Sequence, residues 1–378
     1  MNEYVTVKSK GGRFLLPSSD LPLAGSEIYC ADLVDRDLPL FTGPEELHTL
    51  AARLSDQRVR RLHASYWASP AAFFCHFGEP KAYFGSPEAV AAYYGDLDGS
   101  HLFRRWCQEY ALASAMDAEA YTFHLIDYFP IDGLWQFSIS RQAVLSAMAE
   151  ITARFLAALD AEGLLSPDAP RIELENAGWG LEYGAQTARD FSDLLRQVSD
   201  PYQKLRVAWD VNHLLHAVGQ RDCQGMFFLP EDEITEEMGF LQAEYGADPQ
   251  LFAAKWLEQN LLAPELRGKV ACVHLSDCAM KSQRFFSRGK LEEPWYSQLT
   301  ACPDRDSKEH YGEQMVLGHY DSHLPLGTGI LTGGAVAPLL RRLEAETPGF
   351  SLLHELKNSG DLPLDLARQR NALLEGGF

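Results

Sequence analysis

The chain has 378 residues, 46% hydrophobic and 23% charged, the composition of a water-soluble globular protein with room for one large domain or two ordinary ones. Its net charge of −20, from 53 acidic against 33 basic residues, argues against a polyanion partner, because sequence-independent nucleic-acid affinity comes from Lys and Arg displacing phosphate counterions. Seven cysteines (Cys30, Cys75, Cys107, Cys223, Cys272, Cys278 and Cys302) form no CxxC pair and are odd in number, and there is no charged-then-apolar leader or apolar run of transmembrane length. The expected home is therefore a reducing cytoplasm.

Taken in chain order, β-rich runs alternate with helical ones. A weak first run, "RFLLP" (13–17), precedes "EIYCADLV" (27–34), "VRRLHASYW" (59–67), "AYTFHLI" (120–126), "RIELENA" (171–177), "LRVAWDVNH" (205–213), "KVACVHLSD" (269–277) and "FSLLHELK" (350–357). Between them lie helical patterns such as "PEELHTLAARL", "RQAVLSAMAEITARFLAAL", "ARDFSDLLRQV" and "GAVAPLLRRLEAE". Near-continuous apolar strands alternating with helices predict a parallel sheet covered by helices. Eight such units in one chain predict an α/β fold, a (β/α)8 TIM barrel, as a single domain over residues 1–378. The rival, a doubly wound open sheet, would be favoured by a GxGxxG turn after the first strand, and the chain has none. Whether the first 25 residues hold the first strand or a separate arm stays open. Two connections, about 214–268 and about 278–320, exceed what a minimal barrel needs and are expected as insertions near the C-terminal face of the barrel.

In such a barrel the chemistry sits where strands end. The third strand ends in His63, the fourth in His124, the fifth in Glu175, the sixth in Asp210 and then His213, the seventh in His274 and the eighth in Glu355. Asp321 and His323 join them from the run "HYDSHLPLGTGIL" (319–331). Imidazoles and carboxylates are the ligand set of zinc, manganese or iron. Strand parity agrees, since Ala208 shares a face with Asp210, Cys272 with His274 and Leu353 with Glu355, small or apolar residues beneath polar tips. Glu173 shares the face of Glu175 and would place a costly charge in the lower barrel unless paired, with Arg171 as the nearby candidate. A single histidine at a strand end is more often a hydrogen-bonded structural residue, and Glu355 alone could be an ion-pair partner. Ligand-type groups at six consecutive strand tips point instead to a divalent-metal site. His48, His76, His101, His216, His310, His319 and His354, read as lying in helices or loops, have no such partners in the pattern.

These residues resemble the xylose isomerase-like TIM-barrel superfamily, and within it the class II apurinic endonuclease (endonuclease IV)-like branch. The likeness rests on "ELENAGWG", "DVNH" as Asp-x-x-His, "HLSD" as His-Leu-x-Asp, "DSHLPLGTG" as Asp-x-His-x-x-x-Gly-x-Gly, and the earlier histidines of "HASY" and "FH", spread in order over roughly residues 26–360. The resemblance implies up to three metals, zinc foremost. His63, His124 and Glu175 would hold the first. Glu175 would bridge to a second, held also by Asp210, His274 and Glu355. His213, Asp321 and His323 would hold the third. Catalytic roles fall to Glu175 and Glu355, and substrate contacts to Tyr66, Lys281 and Arg284. Mononuclear sugar isomerases and epimerases of the superfamily generally need only Glu175, Asp210, His274 and Glu355.

The expected function is a metal-dependent hydrolase of a small anionic substrate, a phosphoester or an amide, with a cobamide-like cofactor within range because some relatives are amidohydrolases that remodel cobamides. The alternative is a sugar or polyol isomerase or epimerase using one divalent metal. An apurinic endonuclease is disfavoured by the charge. A non-catalytic ligand-binding barrel would need degraded metal ligands, and none is degraded. The stretch "KSQRFFSRGK" (281–290) offers Lys281, Arg284, Arg288 and Lys290 around Phe285 and Phe286, and with Trp295 and Tyr296 could wall a small-molecule pocket or simply form a solvated lid face. No nucleic acid or membrane is expected as a partner; a homo-oligomer is compatible with the sequence.

Overall fold

The computed structural model describes residues 1–378 except 11, 15, 18–21, 68, 127–139, 178–183, 220–243, 245–247, 286–313 and 358. Eight parallel strands close into a barrel: β1 (Asn2–Thr6), β2 (Gly25–Tyr29), β3 (Val59–His63), β4 (Ala120–His124), β5 (Arg171–Glu175), β6 (Leu205–Asp210), β7 (Val270–Leu275) and β10 (Ser351–His354). Each pairs with its neighbours in sequence order, and β10 closes the ring on β1 with Tyr4 opposite Leu353. The first strand is thus Asn2–Thr6, and among the described residues of "RFLLP" Arg13 makes only an isolated bridge with Lys10. The pairing of Asn2–Val5 with Ser351–His354 depends on a partner at the far end of the chain, which no local pattern reveals.

Several helices begin at a side-chain acceptor or a proline. Helix α1 (Pro44–Asp56) opens on Pro44 with Glu45 and Glu46 in its first turn, where the helix dipole favours acids. Short helices α2 (Pro70–Cys75), α3 (Gly78–Phe84) and α4 (Pro87–Tyr94) follow β3, and Ser86 caps α4 by accepting the Ala89 N–H. Helices α5 (Ser100–Ala115), α6 (Arg141–Ala161), α7 (Ala188–Gln197), α8 (Val211–Gly219), α9 (Pro249–Leu261), α10 (Gly333–Glu346) and α11 (Leu362–Glu375) complete the described set. A capping box at α7 links the Thr187 hydroxyl and the Asp190 carboxylate to each other's backbone N–H groups. Helix α6 is long and apolar enough to cross a membrane by length and composition, which the sequence reading did not anticipate. Its Val144, Met148, Ile151, Phe155 and Leu159 are buried within the protein's core.

The barrel interior divides in two. On one side Tyr4, Ala208, Cys272 and Leu353 pack as a small apolar cluster. On the other, β2 to β5 supply Glu27, Arg61, Thr122 and Glu173, all fully buried. Arg61 Nε lies 3.3 Å from Glu27, its Nη2 pairs with Glu173, and Arg171 Nε lies 3.2 Å from the same Glu173. The charge that would be costly alone is therefore shared between two guanidiniums. Burial pushes Glu119, at the edge of this network, upward, but the Arg61 charge and hydrogen bonds from Ser351 and Tyr4 outweigh it and bring the carboxyl down to about 2. The polar floor locks the strands in register beneath the site.

After β7 the chain leaves the barrel. Strand β8 (Asp277–Phe285) pairs antiparallel with β9 (Gln314–Leu324), Lys281 opposite Gly318 and Arg284 opposite Met315. The second insertion is therefore framed by a two-stranded ribbon. Residues 286–313 between its strands, with Phe286, Arg288, Lys290, Trp295 and Tyr296, lie outside the described residues, as do the side chains of Lys281, Arg284 and Phe285. Residues 220–243 and 245–247 of the first insertion lie outside them as well.

Candidate metal centre

Parallel strands that stop at one level present their last inward side chains on one plane. Register pairs His124 with Glu175 and Asp210 with His274, so four expected ligands are neighbours by backbone geometry alone. Asp-x-x-His adds a fifth through helix capping. Asp210 ends β6 and accepts the His213 N–H on Oδ1 at 2.9 Å, which caps α8 and leaves Oδ2 for the site. The imidazole, one turn into the helix, comes back over the same end, with Nε2 3.6 Å from Oδ2. Asn176 of "ELENA" fixes this tip: its amide accepts the Asp210 N–H at 2.7 Å and donates to the Asp210 carbonyl at 3.1 Å. Its own carbonyl lies 3.0 Å from His213 Nδ1, which orients the ring.

The run "HYDSHLPLGTGIL" is held by the aspartate of "HLSD". Asp277 Oδ2 accepts the N–H groups of Gly327 (3.0 Å) and Gly329 (2.6 Å), and Oδ1 those of Leu331 and Cys278 (both 2.8 Å). Gly327 has φ +86°, and a Cβ at Gly329 would stand 2.6 Å from the Cys278 carbonyl, so the turn can close on the carboxylate only with these glycines. The clasp carries His323, itself at φ +44°, back over the barrel with Nδ1 3.3 Å from Ser276 Oγ and 4.0 Å from Glu355 Oε2.

At the centre, the two oxygens of Glu175 face different partners. Oε2 is 3.0 Å from His63 Nε2 and 3.9 Å from His124 Nδ1, whereas Oε1 is 3.4 Å from His274 Nδ1. His274 Nδ1 is also 3.3 Å from Glu355 Oε2. His63 Nδ1 is 3.0 Å from the Ala64 carbonyl, so donation there turns Nε2 toward the site. Three ligand groups result among the described residues, each with donor atoms within 4.8 Å of one another: His63, His124 and Glu175; Glu175, Asp210, His274 and Glu355; and Asp210, His213 and His323.

Burial sets the electrostatics. Glu175, Asp210 and Glu355 are at most 3% exposed. Burial, joined by the Glu355 charge, pushes the Asp210 carboxyl well above its ordinary range. Burial also opposes ionisation of Glu175 and Glu355. Facing charges prevail, however: His274 and His124 hold Glu175 well down, and Lys357 and His323 do the same for Glu355. Burial drives the His124 imidazole down to about 3, whereas for His63 and His274 the Glu175 carboxylate outweighs burial and raises the imidazole. Glu175 Oε1, Asp210 Oδ2, Glu355 Oε2, His124 Nε2 and both His274 ring nitrogens have no hydrogen-bond partner among the described residues. Buried polar atoms in that state are costly, and Glu175, Asp210, His274 and Glu355 each offer one ligand atom within 4.8 Å of the others. The donor set, nitrogen and oxygen without sulfur, fits divalent metals of the zinc, manganese and iron kind.

The structure thus brings together His63, His124, Glu175, Asp210, His213, His274, His323 and Glu355. The side chain of Asp321 lies outside the described residues, and Asp210 is the acid found with His213 and His323. The Tyr66 ring stacks 6.3 Å from that of His124, at the edge of the site. His354 belongs to β10 rather than to a helix or loop, and pairs away from the site with Glu3 (3.1 Å) and the Gln369 amide (2.9 Å). Sequence reasoning missed Tyr29 and Lys357, which both contact Glu355 Oε1, at 2.7 and 2.5 Å. Tyr29 is the tip of β2, hidden because "EIYCADLV" reads as one long strand although a 3-10 turn begins at Cys30. A cleft of about 920 Å³ between α5 and α6, lined by Phe103, Cys107 and Arg154, holds none of these residues.

No family model and no curated protein matches the chain. Solved structures do match along its length. A D-tagatose 3-epimerase-like protein aligns with a TM-score of 0.53 at 14% identity, over 100% of this chain and 98% of that one. Endonuclease IV from Thermus thermophilus aligns at 0.46 and 16% identity, over 99% and 100% of the two chains. An IolI protein with a bound zinc atom aligns at 0.47 and 11%, over 100% and 98%. Identities this low speak to architecture rather than to activity. With its closed ring of eight parallel strands, the chain has the TIM-barrel fold, similar to that of the D-tagatose 3-epimerase-like protein.

Proposed function

We propose that the chain is a metal-dependent hydrolase of a small anionic substrate, a phosphoester or an amide, a cobamide-like cofactor included, working through a multinuclear centre. The observation that carries this reading is Glu175, whose Oε2 faces His63 and His124 while Oε1 faces His274. One carboxylate shared by two ligand groups is the arrangement a bridged pair of cations would use, whereas in a single-ion site His63 would serve only as a hydrogen-bond partner of Glu175. In this reading His63, His124 and Glu175 hold one ion, and Glu175, Asp210, His274 and Glu355 a second. His213 and His323, with Asp210 beside them and Asp321 as the expected further acid, hold a third. Zinc is the metal the donor set suits best. Bound divalent cations would supply Lewis acidity and bring a water's pKa toward neutrality.

The chain's own residues do the rest. Glu175 and Glu355 are the proposed catalytic carboxylates, and the facing His274 and Lys357 favour their ionised forms. Tyr66 offers a ring face beside His124 for an apolar part of the substrate. Lys281 and Arg284 are the proposed contacts for its anionic part. With a chain charge of −20 the proposed partner is a small molecule rather than duplex DNA, and the proposed compartment is the cytoplasm.

A specific observation favours a second reading. Glu175, Asp210, His274 and Glu355 form a buried four-ligand group by themselves, with the two glutamates 3.4 and 3.3 Å from one imidazole nitrogen. A sugar or polyol epimerase or isomerase could work with that group and a single ion, the carboxylates moving the proton. Parallel assays of zinc-loaded protein decide between them. Turnover of phosphomonoesters or amides without ketose epimerisation supports the hydrolase, and the reverse result supports the epimerase.

A further inference from the structure

We infer that Tyr29 and Lys357 are positioning residues that make Glu355 a one-oxygen metal ligand, an inference that rests on the metal-centre reading above. Tyr29 OH donates to Glu355 Oε1 at 2.7 Å, and Lys357 Nζ lies 2.5 Å from the same oxygen. Both donors act on Oε1, whereas Oε2 turns to His274 at 3.3 Å and has no hydrogen-bond partner among the described residues. An oxygen that already accepts from a phenol and an ammonium has little lone-pair density left for a cation. Glu355 therefore offers Oε2 alone.

The two donors also brace each other and the neighbouring group. Lys357 Nζ stands 5.1 Å from the centre of the Tyr29 ring, and the Tyr29 ring lies 4.5 Å from that of His63. Tyr29 thus touches a member of each of two ligand groups, His63 in one and Glu355 in the other. Lys357 sits two residues past Glu355, beyond the end of β10, with its side chain 22% exposed. Its ammonium offsets one charge in a cluster of three buried carboxylates, Glu175, Asp210 and Glu355. A carboxylate free to swing could bind a cation through both oxygens, fill a position that substrate must reach, and pull away from His274.

The test is zinc affinity, read by competition with a chromophoric chelator on the full chain, for wild type, Tyr29→Phe, Lys357→Gln and Lys357→Arg. Tyr29→Phe removes a hydrogen bond without a charge, and Lys357→Gln removes the charge and leaves a shorter, neutral donor at a partly exposed position, so folded protein is expected and checked by circular dichroism. Each of these two variants should weaken one bound zinc by about 10- to 100-fold, the usual effect of removing an outer partner of a ligand, and leave the others unchanged. Lys357→Arg should restore most of the loss. If Lys357→Gln tightens zinc, the lysine acts only as a repelling charge and the inference fails. If Tyr29→Phe and Lys357→Gln bind like wild type, it fails as well. If wild type itself takes up no zinc, the metal-centre reading falls first and carries the inference with it.

Discussion

Asp277→Asn isolates the part of the site that the sequence hides in plain view. Each Asp277 oxygen accepts two backbone N–H groups, Gly327 and Gly329 on Oδ2 and Leu331 and Cys278 on Oδ1, at 2.6 to 3.0 Å. Asparagine keeps the shape but turns one oxygen into a donor, so two of those four N–H groups face another donor in a buried site. Hydrogen bonds to a charged acceptor contribute about 1.5–3 kcal/mol each, which sets the loss at about 3–6 kcal/mol. That is a large share of the roughly 5–15 kcal/mol by which a domain is stable, and opening the clasp locally is less costly than unfolding the barrel. We therefore expect 323–331 to detach first, taking His323 from the site. Urea unfolding and zinc content of the purified variant measure both effects. Gly329→Ala should reproduce them by another route, since its Cβ would meet the Cys278 carbonyl at 2.6 Å and Asp277 Oδ1 at 2.7 Å. Stability within about 0.5 kcal/mol of wild type, the range of an ordinary surface substitution, together with full zinc content would refute the clasp.

Other expectations concern the centre itself. Glu175→Gln should release two zinc ions, because one carboxylate serves two groups, whereas His323→Ala should release one; equal losses by elemental analysis would show that the sites are not separable in this way. In chelator, the metal-free protein should have its own pH profile. The raised His63 and His274 values place their contribution fully below the ordinary 6.5, lost as pH rises through the raised imidazole values. The lowered Glu175 value places its contribution above the ordinary 4.5, lost as pH falls through the depressed carboxyl. Thermal unfolding should therefore show a maximum between these limits, and stability that climbs steadily into alkali would contradict the pairing. A gel shift with an abasic duplex should show no binding at physiological salt, and tight, salt-sensitive binding or nicking would restore a DNA substrate. Gly333→Ala should lower the melting temperature without changing zinc content, because its Cβ would overlap the Ala372 carbonyl of α11.

The barrel and the strand-tip groups were legible because both follow from period-two parity: each inward tip residue sits two positions above an inward core residue, as Asp210 above Ala208 and His274 above Cys272. What the sequence did not disclose was set by long-range partners. Arg61 reads as a polar interruption in "VRRLHASYW" until the barrel brings it to Glu27 and Glu173, 34 and 112 residues away. Strand β1 escaped notice because its register is set by β10 at the other end of the chain. The β8–β9 ribbon pairs Phe285 with Gln314 across residues 286–313, too far for a local hairpin signal. The motif "HLSD" gives Asp277 no visible role, since its four donors come from its own neighbour and from a loop about 50 residues on. Tyr29 and Lys357 carry no motif at all. They are visible only once Glu355 Oε1 has a position in space.

The most direct test is the metal content of protein purified without added metal, read by elemental analysis with the protein concentration fixed by amino-acid analysis. We expect one divalent ion for each of the three ligand groups, zinc foremost. A single ion per chain, retained when His63 and His124 are both changed to alanine, would contradict it and leave the four-ligand epimerase site in its place.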